Sequence, residues 1–178
     1  MYPQLQSIAN KLDYLAELTG RTIAWLTLAM VIIMFTVVVL RYLFNSGSIA
    51  LQESISYLHA SVFMLGAAWT LKEDGHVRVD IFYSKLNHRA RAWVNLIGTL
   101  LLLLPVCGFI LYSSLDYVAL SWSIREGSQE TGGLNAVYLL KTAIPLMAVL
   151  LILQGCANIL KSILVIGGHT QADMADKS

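Results

Sequence analysis

Glu53 stands near the start of a long apolar stretch, and a carboxylate there asks for a reason. An ionisable side chain at membrane depth is costly in lipid, so it finds a partner of opposite charge or serves an ion pathway. Arg41 ends the preceding apolar stretch, one short connection away, which makes an ion pair closing a hairpin the structural expectation. A proton or cation site at Glu53 is the functional alternative. His59, six residues on, lies about 120° around the same helix. It can ligate haem, relay a proton or hydrogen-bond a neighbouring helix. Haem held by two histidines needs a second one at depth, whereas His76, His88 and His169 all lie outside the apolar stretches.

Other polar residues point to packing. Gln154 and Asn158 stand four apart, on one face of a helix, and are expected to bond to another helix. Glu53, Ala60 and Ala67 form a row seven apart, beside Ser54, Ser61 and Ala68, and such small stripes let helices approach closely. In His76-Val77-Arg78-Val79-Asp80 the alternation puts His76, Arg78 and Asp80 on one side of an extended stretch. These three are expected to organise a turn and do no chemistry. Cys107 and Cys156 are far apart inside apolar runs, without a C-x-x-C pair or a metal-ligand cluster, and read as small hydrophobes. No nucleophile–base pair, phosphate-binding loop or metal signature appears in the sequence, so no catalytic residue, metal or cofactor is expected.

The elements that must carry these residues follow from composition. The 178 residues are 57% hydrophobic and 13% charged, with a formal net charge of +1. Soluble domains hold roughly 25% charged residues, so this composition is that of a membrane-embedded chain. Near-neutral charge also disfavours nucleic-acid binding. A spanning helix needs about 20 apolar residues. Four stretches meet that length, at about 22–44, 51–71, 94–117 and 138–166. Together they make residues 21–166 a four-span, all-α membrane domain, followed by a polar tail over 167–178. Continuous apolar runs of helical length are unlike the short alternating segments of a β-barrel. Pro105 and Pro145 fall inside spans and are expected to kink them.

Two flanking segments look interfacial. Leu5, Ile8, Leu12, Leu15 and Leu18 recur at spacings of three and four, with Lys11, Asp13 and Glu17 between them. Residues 1–20 therefore read as an amphipathic helix, lying either on the cytoplasmic membrane surface or on a partner protein. Ile81 to Trp93 reads as a second interfacial helix before the third span, with Asp80 as its N-cap. Of the 12 Lys and Arg, nine fall on the side of the termini and the middle loop. That bias places both termini in the cytoplasm.

The motifs then carry a resemblance. Arg41-Tyr42-Leu43-Phe44-Asn45 ends the first span, Gln52-Glu53 opens the second, and Gly66-Ala67-Ala68-Trp69-Thr70-Leu71-Lys72 leads into His76-Val77-Arg78-Val79-Asp80. Over about Arg21 to Ile166 the chain resembles the small permease subunit of TRAP transporters, the DctQ-type family. It departs from the family pattern at Ala50-Leu51-Gln52 and at Leu86-Asn87, which bears on subfamily and solute. The resemblance implies a non-catalytic bacterial inner-membrane subunit of a tripartite, binding-protein-dependent, sodium-coupled symporter for an organic acid or similar solute. Its implied partners are a large TRAP permease subunit, whose scaffold it enlarges, a periplasmic solute-binding protein and membrane lipid. The residues expected to serve structure or partner contact are Arg41, Glu53, Ala60, Ala67, His76, Arg78 and Asp80. The alternatives are a self-sufficient proton-coupled exporter, with Glu53 as its proton site, and a membrane redox subunit.

Overall fold

A computed structural model describes residues 2–76 and 83–168, and every described element is helical. The first helix, α1, spans Tyr2–Leu43 and is 42 residues long. Asn45 ends it in the left-handed region (φ 49°), and Ser46 N–H reaches back to Leu40 C=O at 3.0 Å, closing the last turn. Helix α2 spans Ile49–Lys72, started by Ser48, whose hydroxyl accepts from Leu51 N–H. Helix α3 spans His88–Gly98. A wider π-helical turn, Thr99–Leu103, continues it into α4, Leu104–Ser123. Helix α5 spans Val137–Ile166.

The π turn has a local cause in Pro105. Proline cannot donate to the carbonyl four residues back, and its ring crowds that carbonyl. The register slips by one, so that Leu104 N–H bonds Thr99 C=O, and the helix runs on without a break. Gly155 of α5 accommodates the widened turn: a Cβ there would lie 2.8 Å from Leu103 Cδ2.

Helix α5 is the centre of the bundle. It packs against α1, α2, α3 and α4, and α1 packs closely on α2. Small residues make that possible, because Ala143, Ala148, Gly155, Ala157 and Ser162 are all buried on α5. On α1 the buried positions Ala9, Ala16, Ile23 and Val37 fall on a seven-residue repeat, the seam of a left-handed helix pair. Gly20 lies beside that seam, and a Cβ there would come within 2.7 Å of Trp69 Cβ on α2.

One expectation about the flanking segments is corrected. Residues 2–20 are no separate surface helix but the first half of α1. The inward side of this half carries Ala9 and Ala16 with the carboxylates of Asp13 and Glu17, which meet Lys161 and Lys72. The apolar Ile8, Leu15 and Leu18 face outward. The expected start of the second interfacial helix, Ile81 with Asp80 as its N-cap, lies outside the described residues; α3 begins at His88, with Asn87 as its cap, and merges into the third span. The Asn87 side chain accepts from Ala90 N–H at 2.8 Å.

Among the described residues three helical stretches are long and apolar enough to cross a membrane: Gln4–Leu43, His88–Ser123 and Val137–Ile166. Helix α2, expected as the second of four spans, falls short in composition. Gln52, Glu53, Ser54, Ser56, His59 and Ser61 dilute its apolar content.

Candidate functional site

The helices alternate in direction, so their polar ends gather into two clusters. At the Asn45 end the residue in the middle is Glu53. Its carboxylate accepts from the Ser128 hydroxyl and, at 2.6 Å, from Leu134 N–H. Both donors belong to the loop joining α4 to α5. That loop folds on itself through Ser128 N–H to Leu134 C=O at 2.9 Å. A Cβ at Gly133 would lie 2.8 Å from Glu53 Oε2, so glycine lets the loop close over the acid. The expected ion pair with Arg41 is absent: Arg41 is exposed, and among the described residues the partners of Glu53 are Ser128 and Leu134. A backbone N–H and a hydroxyl fixed by a folded loop satisfy the carboxylate without ordering a long, exposed arginine.

Beside it, Glu126 accepts from Lys141 of α5 and from the Ser121 hydroxyl of α4. The Lys141 ammonium also sits 4.0 Å from the Tyr117 ring centroid. Trp122 Nε1–H donates to Thr142 at 2.9 Å and its ring packs edge-on against Tyr138. The hydrogen bonds from Lys141 and Ser121 hold the Glu126 carboxyl below the usual carboxylate range, and partial burial opposes them. A carboxyl depressed in the folded state stabilises fully above its unfolded value, near 4.5, and loses that contribution as pH falls through the lower folded value. Thermal unfolding in detergent should therefore show a loss of stability below about pH 4.5 that shrinks in Glu126→Gln. Identical acid profiles for the two proteins would contradict the assignment.

At the opposite end, α1 is clamped to α2 and α5. Lys72 bridges Glu17 and Glu73, each at 3.0 Å. Lys161 meets Asp13 at 2.6 Å, and the Gln154 amide donates to the same carboxylate at 3.0 Å. Gln154 is 1% exposed and also lies 3.4 Å from Asn158. Gln154 thus bonds to a neighbouring helix as expected, whereas the described partner of Asn158 is Gln154 on the same helix.

Of the other residues singled out in the sequence, Ala60 and Ala67 are half-buried on α2 and His76 is exposed beyond its end. Arg78 and Asp80 lie outside the described residues. His59 is exposed on α2. Among the described residues no three His, Cys, Asp or Glu come together to hold a metal ion. The two cysteines are unpaired.

The described polar clusters thus fasten helices and a loop, and the fold defines an all-α membrane component. A family model described as the DctQ component of tripartite ATP-independent periplasmic transporters matches residues 30–164. The chain belongs to that family, which makes it a small, non-catalytic membrane component of a TRAP-type transporter. It is also 34% identical over 82 residues to a Haemophilus influenzae protein named "Putative TRAP transporter small permease protein". That match covers 46% of this chain, which spans about half (50%) of the relative's length.

Proposed function

We propose that the chain is the small subunit of a sodium-coupled, binding-protein-dependent importer of an organic acid or similar solute, in a bacterial inner membrane. It packs on the scaffold of a larger permease subunit and enlarges that stationary body, while a periplasmic protein delivers the solute. Both termini are cytoplasmic, following the distribution of Lys and Arg. Helix α2 is the fourth span in this reading. Its 24 residues are about 36 Å long, enough for a hydrocarbon core of about 30 Å.

One observation carries the proposal. Gln52, Ser56, His59 and Phe63 recur at spacings of four, three and four along α2, and all four are exposed. Facing lipid, the amide and imidazole would lose their hydrogen bonds, at a cost that keeps such residues off lipid-facing surfaces. A second protein that covers this face supplies them, and membership of a multi-component transporter family provides such a protein. Neither the exporter nor the redox reading has a comparable observation in its favour.

The test co-expresses this chain with the large subunit. Ser56→Trp and His59→Trp should each lower co-purification about tenfold, because steric overpacking of a helix seam is destabilising. Both variants should keep the wild-type melting profile as isolated chains. Undiminished co-purification by both would place the interface elsewhere.

A further inference from the structure

A groove of about 1090 Å³ opens between the Lys72 end of α2, α3 with its π turn, and α5. Nothing in the derived transport role uses it. We infer that it holds one anionic glycerophospholipid, with the phosphodiester at Arg91 and an acyl chain along the π turn. The inference requires only that the chain is membrane-embedded, and it stands whichever protein covers α2.

The mouth of the groove is polar. Arg91 donates from Nε to Leu86 C=O at 3.0 Å and from Nη2 to Ser84 C=O at 2.7 Å. Its guanidinium carbon lies 5.4 Å from the Tyr83 ring centroid. The side chain is thus held in place, yet no carboxylate among the described residues pairs with it, in contrast to Lys72 and Lys161 in the same mouth. Asp74 also lines the mouth, so the groove is not uniformly basic. A fixed guanidinium that no described carboxylate neutralises is suited to a phosphate oxygen, which it binds by charge-assisted hydrogen bonds. Lys85, His88 and Arg89 flank it in sequence and add positive charge where anionic lipid collects.

Along the π turn the wall of the groove is apolar, with Leu102, Leu103, Val106 and Cys107, while Asn158 and Ser162 of α5 add polar groups on the other side. From Thr99 to Cys107 the helix rises about 12 Å, most of the roughly 15 Å of one leaflet's hydrocarbon. The π turn shapes this wall, and such turns recur at functional sites. Inorganic phosphate would fill the mouth and leave the apolar wall bare. A phospholipid satisfies both parts.

Native mass spectrometry of the full chain in mild detergent tests this, with phosphatidylglycerol, phosphatidylethanolamine or inorganic phosphate added. The wild type should retain one phosphatidylglycerol and bind phosphatidylethanolamine more weakly. Arg91→Gln should lower retention about tenfold through loss of the charged contact. Val106→Trp should lower it comparably by filling the acyl groove while Arg91 remains. Melting profiles identify any variant that has lost its fold, and the lipid comparison on the wild type stands regardless. Equal retention of the two lipids, full displacement by inorganic phosphate, or unchanged retention in both folded variants would overturn the inference.

Discussion

Replacing Glu53 by leucine should release the loop between α4 and α5. The carboxylate is the shared acceptor for the Ser128 hydroxyl and Leu134 N–H, so its loss leaves a backbone donor of the loop without its partner. Hydrogen bonds to a charged group are among the stronger ones, and losing two should lower the melting temperature in detergent by on the order of 5 °C. Limited proteolysis should then cut between residues 124 and 136, a segment resistant in the wild type. Ser128→Ala should reproduce part of the effect. Arg41→Gln should do almost nothing, since Arg41 is exposed and makes no ion pair with Glu53. If Arg41→Gln were as damaging as Glu53→Leu, the ion-pair expectation would be right and the loop clamp wrong.

The second large effect is expected at the other end of the bundle. Asp13→Ala removes the carboxylate that meets Lys161 and accepts from the buried Gln154 amide. Breaking a buried pair from one side costs about 3–5 kcal/mol. Lys161 is 37% exposed and can recover some hydration, which lowers the expectation to about 2–3 kcal/mol. Hydrogen exchange should locate the damage in residues 4–20, with 22–43 still protected, because the Ile23 and Val37 seam is untouched. Removing Lys161 together with Asp13 should cost less than the sum of the single changes. Uniform exchange throughout α1 would instead show that the two halves unfold together.

How far the sequence reveals this structure depends on which physical signal each element leaves. The apolar cores Ile23–Leu40 and Leu100–Leu104 are legible as helices because lipid favours uninterrupted apolar runs. The packing face of residues 2–20 is not legible by the same means. Hydrophobic periodicity assumes that apolar residues face inward, whereas here Ile8, Leu15 and Leu18 face out and the small Ala9 and Ala16 mark the seam. The seven-residue recurrence of small residues was the available signal. For Glu53 the nearest base in the chain was a misleading guide. Its partners come 75 and 81 residues later, from a loop whose Gly132-Gly133 allows the close approach. Pro105 was expected to kink its span; a π turn relieves it instead, within a continuous helix.

The central claim is that this chain supports transport by packing on a larger membrane subunit and contributes no solute site of its own. Relative uptake of a panel of organic acids by the reconstituted transporter tests it most directly. Wild type would be compared with Ala60→Leu and Ala67→Leu, beside co-purification of the large subunit. The account predicts that uptake falls in step with loss of the complex, and that surviving complexes keep the wild-type order of solute preference. A substitution in this chain that left the complex intact and switched the preferred solute would contradict it.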